Sequence, residues 1–226
     1  MDVVYICRDG DNDELVYSLR SVVKNLAHTN IWVVGGRPTW YRGNYVEVVQ
    51  KGTKYENGRA NLRAIVGCGD ISDEFVLMND DFYVMSPVDV VPYYHGGDLM
   101  DKIRVFEGFG ARSKYLAMLW DTMHILAYHG SPTTLDYALH VPMRMRRSEL
   151  GPLLNYDASI RTLYGNLKRV GGEQIPDVKV HTRRDVVPQH DYMSSQFPFL
   201  STNDRTFTAV RKQLLRYKLN EPSPYE

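Results

Sequence analysis

The chain has 226 residues, of which 43% are hydrophobic, so a single large domain with a sizeable core is within reach. Lys plus Arg and Asp plus Glu number 27 each, a balance that argues against nucleic acid as the main partner and against a polybasic membrane anchor. Only two cysteines are present, so nothing suggests a disulfide framework or a zinc site; no run reaches the roughly 18 apolar residues of a membrane span and Met1-Asp2-Val3 leads straight into a strand, so the expectation is a cytoplasmic chain without a membrane span or signal peptide.

In chain order, Val3 to Cys7 reads as a short apolar strand, followed by the polar turn Asp9-Gly10-Asp11-Asn12-Asp13. Leu15, Leu19, Val22, Val23 and Leu26 recur at helical spacing. Strands are predicted over Ile31 to Val34, ended by Gly35-Gly36, and over Tyr45 to Val49. Arg59 to Val66 reads as a helix, with Asn57 as a candidate cap and Arg59 and Arg63 one turn apart at its start. Phe75 to Met78 is a fourth, wholly apolar strand, as in a parallel sheet buried on both faces.

The second half is less regular. Ile103 to Phe109 is predicted as a strand, Lys114 to Tyr128 as a helix, and Tyr137 to Val141 as a strand stopped by Pro142. Helical patterns follow around Arg147 to Leu154 and Asp157 to Leu167. Val178 to His181 reads as an edge strand and Thr206 to Leu219 as a helix with Asn203 and Asp204 as caps. The Pro-rich segment 221–226 reads as a tail. The basic clusters Arg144-Met145-Arg146-Arg147 and Arg183-Arg184 read as solvated surface, or as a rim for an anionic substrate. The rhythm implies one α/β domain, residues 1–226, with a mostly parallel sheet and an elaborated C-terminal half. Residues 1–90 form its regular βαβ half, and residues 91–226 the elaborated half.

The feature that carries chemistry is Asn79-Asp80-Asp81 at the end of the fourth strand. Open α/β sheets bind ligands at the carboxyl ends of their strands. Two adjacent carboxylates repel unless a cation or hydrogen bonds offset them, and a hard divalent cation carrying substrate phosphates does so economically. Alone, the motif is equally a turn cap. Arg8 and Asp9, after the first strand, fall at the same sheet edge and are candidates for base or ribose contact. Asn57, Arg59 and Arg63 are candidates for a diphosphate at a helix N-terminus. Each of these is, taken singly, more ordinary as a solvated turn or a basic helix face.

Read together, these segments resemble the Stealth proteins, hexose-1-phosphate transferases of capsule synthesis and lysosomal-enzyme phosphorylation. The match runs in order: Met1-Asp2-Val3-Val4-Tyr5-Ile6-Cys7-Arg8-Asp9-Gly10-Asp11, Leu15-Val16-Tyr17-Ser18-Leu19-Arg20-Ser21-Val22, Pro38-Thr39-Trp40, Leu77-Met78-Asn79-Asp80-Asp81-Phe82, His140-Val141-Pro142, Asn203-Asp204 and Pro222-Ser223-Pro224-Tyr225-Glu226. The resemblance implies a fold similar to the GT-A (Rossmann-like) glycosyltransferases, a nucleotide-diphosphate-sugar donor, and Mn²⁺ or Mg²⁺. It implies catalytic roles for Asp81 or Asp80, His140 and Arg161; Asp81 is expected to ligate the metal, with Asp80 or Asn79 assisting through water or ribose. His181 and His190 are further candidates for a metal or phosphate contact. Asn203 and Asp204 are candidates to close the site.

The family's second region carries a glutamate in an A-I-E run, where this chain has Ala60-Asn61-Leu62. Without that acid, attack at the anomeric carbon becomes the leading reaction. The expectation is therefore a metal-dependent glycosyltransferase moving a sugar from a UDP-sugar to a hydroxyl of a polysaccharide, glycan or protein. The alternatives are sugar-1-phosphate transfer from the same donor, and a non-catalytic carbohydrate- or partner-binding module.

Overall fold

The fold is known from a computed structural model, which describes residues 1–109, 113–181 and 197–226. Four parallel strands, β1 (Asp2–Cys7), β2 (Ile31–Gly35), β3 (Asn44–Glu47) and β4 (Glu74–Asn79), are joined through α1 (Asp13–Asn25) and α2 (Lys54–Gly67). They lie in the order β3-β2-β1-β4, and an antiparallel strand, Met143–Arg146, closes the far edge. Tyr5 pairs with Val33 on one side and Met78 on the other. Phe75 to Met78 and Val3 to Tyr5 are almost wholly buried, which explains their unbroken apolar runs. The strand order reverses between β1 and β4, the point beyond whose carboxyl ends open α/β sheets bind their ligands.

The helix α2 begins at Lys54, five residues ahead of the expected start. Its cap is Thr53 rather than Asn57: Glu56 N donates to Thr53 Oγ1, and Thr53 N donates to Glu56 Oε2 at 2.7 Å. Asn57 instead clamps Gly52 through its N–H (2.9 Å) and carbonyl (3.0 Å). Gly35, at φ +120°, brings β2 so close to β1 that a Cβ there would lie 2.2 Å from the Cys7 carbonyl oxygen.

Beyond β4 come β5 (Phe82–Val84), β6 (Tyr94–His95), α3 (Leu99–Gly108) and α4 (Lys114–Tyr128). The strand expected over Ile103 to Phe109 is helix α3. Asp98 caps it, and Leu99 and Ile103, one turn apart, are buried with Leu119 of α4. The strand expected before Pro142 instead follows it, as β7 (Met143–Arg146). Met143 and Met145 face inward, while Arg144 and Arg146 pair with Glu74 and Asp73, each at 3.8 Å. Those arginines are thus edge-strand partners. Next are α5 (Arg147–Leu150), a 3₁₀ turn (Gly151–Asn155), α6 (Ile160–Leu167), β8 (Glu173–Gln174) and β9 (Phe199–Ser201). Finally α7 (Phe207–Val210) runs on through a π-helical turn (Arg211–Leu215) into α8 (Arg216–Lys218).

Contacts divide the chain into two units. One comprises residues 1–91, 140–147 and 178–226, and the other residues 92–139 and 148–177. In the first unit β5 pairs antiparallel with β9, and Lys179 forms a parallel bridge to Ser201 on the other side of β9. Val180, Leu200, Val210 and Leu215 make a buried cluster beside Tyr83. The expected tail is tied down here: Ser223 is buried, Tyr225 stacks on Tyr41, and Arg42 N donates to Tyr225 O at 2.9 Å. In the second unit β6 pairs with β8, and Leu126, Ala158 and Leu163 form a core under α4 and α6. Among the described residues no helix is long and apolar enough to cross a membrane. Cys7 and Cys68 are free thiols.

Candidate functional site

At the order reversal, the loop after β1 and the turn after β4 converge. Asn12 ends the first loop by capping α1, with its Oδ1 accepting from Leu15 N at 3.2 Å, and its Nδ2 donates to Asp80 Oδ2. Arg8 Nε stands 4.0 Å from the same oxygen. Arg8 Nη2 reaches Glu14 Oε2 at 3.4 Å and Asp204 Oδ1 at 3.0 Å. Glu14, buried in the first turn of α1, accepts from Thr202 Oγ1 at 3.1 Å, and Thr202 in turn meets the Tyr83 hydroxyl at 3.1 Å.

Asp81 lies one residue on. Its backbone carbonyl accepts from Thr202 N at 3.2 Å, and its Oδ2 accepts from Lys179 Nζ at 3.1 Å. Its Oδ1 is buried with no hydrogen-bond partner among the described residues. Three carboxylates, Glu14, Asp80 and Asp81, thus crowd one corner with Arg8 and Lys179. Burial, then Asp80 and Asp81, push Glu14 up to about 7. Burial and then Asp81 likewise raise Asp80 above the ordinary carboxylate range. The buried Cys7 thiol is pushed up to about 12 by burial and then by Asp80, which disfavours the thiolate.

The other predicted residues fall as follows. Asn79 ends β4, half-buried, and Asp9 is exposed in the loop after β1. His140 sits edge-on to Phe82 with ring centroids 6.2 Å apart, beside the acid pair's turn. Asn203 Oδ1 accepts from Arg205 N (2.9 Å) and Thr206 N (3.1 Å), a side-chain turn ahead of α7, whose N-cap position is Thr206 rather than the expected Asn203 or Asp204. Asp204 is held by Arg8. Asn57, Arg59 and Arg63 lie on α2; the helix starts at Lys54, so neither arginine is in its first turn. Arg161 belongs to the second unit, where its Nη1 donates to Leu139 O at 3.0 Å. Burial draws its pKa down to about 10, with Asp136 and Asp177 opposing. His181 is exposed, and His190 and Arg183-Arg184 lie outside the described residues.

Sequence reasoning missed Asn12, Glu14, Lys179 and Thr202. One of them was within reach. Val178 and Val180 are both fully buried, and strand alternation then turns Lys179 the other way, toward Asp81.

Among the described residues no group of three or more His, Cys, Asp or Glu side chains is arranged as a metal cage. The donors suit a different kind of site. Mg²⁺ and Mn²⁺ take hard oxygens and are often held by one or two carboxylates, with water and phosphate oxygens completing the shell. Asp81 Oδ1 is a buried oxygen with no donor among the described residues, and it lies next to Asp80, a second carboxyl one residue back at the end of the same strand. These residues fit a hard cation of that sort.

Neither family models nor curated proteins give a match to the chain. Among solved structures it is similar to the galactosyltransferase LgtC, described in complex with donor and acceptor sugar analogs. That likeness has 12% identity and a TM-score of 0.50, and covers 99% of this chain and 98% of that one. The glycosyltransferase GlyE of Streptococcus pneumoniae TIGR4 is 11% identical at a TM-score of 0.41, over all of this chain and 65% of its own. Mouse xyloside xylosyltransferase 1 is 9% identical at 0.35, over 90% and 98%. The last two scores add nothing to the assignment. The comparisons reach the fold and not the Stealth family: this chain has the mixed α/β, mostly parallel-sheet fold of the GT-A glycosyltransferases.

Proposed function

We propose that this chain is a metal-dependent glycosyltransferase that moves a sugar from a UDP-sugar to an acceptor hydroxyl. The observation that carries the reading is the corner where Asp80 and Asp81 leave β4 beside Arg8, Asn12 and Glu14 from the end of β1. That corner lies at the strand-order reversal, where sheets of this type receive nucleotides.

Asp81, through Oδ1, and Asp80 would hold Mn²⁺ or Mg²⁺. When bound, the ion neutralises charge on the diphosphate and makes it a better leaving group. Asn12 orients Asp80 by its amide hydrogen bond. Arg8 and Asp9 would meet base and ribose, and Arg8, which holds Asp204, would exchange it for phosphate. In the transfer, the acceptor oxygen bonds to the anomeric carbon and the bond from that carbon to the diphosphate oxygen breaks. The hydroxyl proton passes to a base, for which His140 beside Phe82 is the candidate.

Sugar-1-phosphate transfer from the same donor is the alternative. It is disfavoured by Asn61, which stands where the Stealth pattern has a glutamate. Asn61 is buried, and its Oδ1 accepts from Gln50 Nε2 at 2.9 Å, so it supplies packing rather than an acid. Product analysis separates the two: UDP is expected from UDP-sugars with Mn²⁺, whereas release of UMP alone would establish phosphosugar transfer. A non-catalytic binding module would give neither product.

A further inference from the structure

We propose that Lys179 is a resident counter-ion for Asp81. It holds the acid pair closed to a divalent cation until a nucleoside diphosphate arrives to accept its charge. The inference rests on the reading of this corner as a metal–nucleotide site and adds the order in which its two ligands enter.

The placement of Lys179 is built into the fold. Strand β9 is zipped between β5 and residues 178–180: Val180 N donates to Ser201 O at 2.9 Å and Ser201 N to Val178 O at 3.3 Å. With Val178 and Val180 fully buried on one side, Lys179 is directed to the other, and its Nζ lies 3.1 Å from Asp81 Oδ2. Both side chains are only 15% exposed, so this is not a screened surface pair. Asp80 Oδ2 is already engaged by the Asn12 amide, with Arg8 Nε at 4.0 Å. That leaves Asp81 Oδ1 as the one buried carboxylate oxygen of the pair without a partner among the described residues.

A cation approaching Oδ1 therefore meets an ammonium on the same carboxylate and, among the described residues, no group of three ligating side chains. Like-charge repulsion and an incomplete shell both make the free protein a poor metal binder. A diphosphate removes both obstacles. It brings oxygens that complete the metal's shell, and it is an anion to which the Lys179 ammonium can turn. Metal and nucleotide should then strengthen one another's binding by the same factor. Lys179 acts here through Asp81, as a positioning residue.

The test is direct Mn²⁺ binding to the intact chain, read by electron paramagnetic resonance of free Mn²⁺, with and without UDP. For the wild type, Mn²⁺ is expected to bind at least tenfold more tightly when UDP is present. Lys179→Met is expected to bind Mn²⁺ without UDP at least tenfold more tightly than wild type, and to keep only the smaller UDP enhancement that comes from completing the metal's shell. Lys179→Arg, which keeps the charge, should stay close to wild type. Equal wild-type affinity with and without UDP overturns the proposal and needs no variant. So does a folded Lys179→Met protein whose Mn²⁺ affinity without UDP is unchanged. If wild type takes up no Mn²⁺ even with UDP, the glycosyltransferase reading falls, and this proposal falls with it.

Discussion

Arg20 and Glu226, separated by 206 positions, meet in a two-pronged ion pair, Nε to Oε1 at 2.8 Å and Nη2 to Oε2 at 2.6 Å. Arg20 Nη1 also donates to Leu219 O at 3.2 Å, and Ser223 N donates to Glu226 Oε1 at 2.9 Å. One arginine on α1 thus fastens the segment that follows α8. Glu226→Gln removes the charge but not the shape, and is expected to cost about 1–2 kcal/mol, as for a charge-assisted hydrogen bond. Urea denaturation checks this. Arg20→Lys should be nearly as costly, because an ammonium cannot supply the parallel pair of donors.

Asp2 links three segments. It accepts from Asn30 N (3.2 Å), Asn30 Nδ2 (3.0 Å), Trp32 Nε1 (3.2 Å) and Ser72 N (3.0 Å). Burial alone would raise its pKa, but the hydrogen bonds from Ser72, Asn30 and Trp32 outweigh it, and the net shift is downward. A carboxyl depressed in the folded state contributes stability above its unfolded value, near pH 4, and that contribution is lost as pH falls through the folded value. Asp2→Asn is therefore expected to lose about 2–3 kcal/mol at pH 7. The gap from wild type should narrow as pH is lowered from about 4 toward 2. Denaturation curves at pH 7 and pH 3 check it, and a gap that stays constant contradicts this account of Asp2.

Two glycines at positive φ should behave differently. An alanine at Gly35 would press its Cβ against the Cys7 carbonyl oxygen, at 2.2 Å, and against the Asn61 amide. An alanine at Gly10 would meet nothing within 4 Å. Gly10→Ala is expected to cost only the backbone strain, about 1–3 kcal/mol. Gly35→Ala adds a clash between two core strands, a further 1–3 kcal/mol or so. Thermal unfolding of the two variants should rank them in that order.

The parallel half was legible because its signals are local. Continuous apolar runs mark β1, β2 and β4, and the Asp80-Asp81 pair ends a strand whose edge had to be a ligand edge. The Thr53-x-x-Glu56 capping box was equally visible in the chain, yet Asn57 drew the helix start away from it. Helix α3 was misread because a short apolar run does not separate strand from helix. The deciding fact is Leu99 and Ile103 meeting Leu119. At the site itself, alternation along Val178-Lys179-Val180 could set the side on which Lys179 lies, but neither its partner Asp81 nor Glu14's partner Thr202 could be read from spacing, since both lie far off in the chain. Chain-distant pairs of this kind are made by the β5–β9 pairing, which no local pattern announces.

Asn12 is a cap and a site residue at once. Asn12→Asp would keep the cap, since both residue types cap well. It would also set a fourth acid in the corner, against Asp80, in place of a donor. It is expected to keep most of the protein's stability while weakening UDP binding at least tenfold. A cap-only role predicts no change in UDP affinity.

The central claim concerns one carboxylate, and titration of UDP into wild type and Asp81→Ala by calorimetry, each with Mn²⁺ in excess, tests it most directly. Wild type should bind UDP, and Asp81→Ala, still folded by circular dichroism, should bind it at least a hundredfold more weakly. Equal affinity in the two proteins, or no heat of binding in wild type, would contradict a metal–nucleotide site at the end of β4.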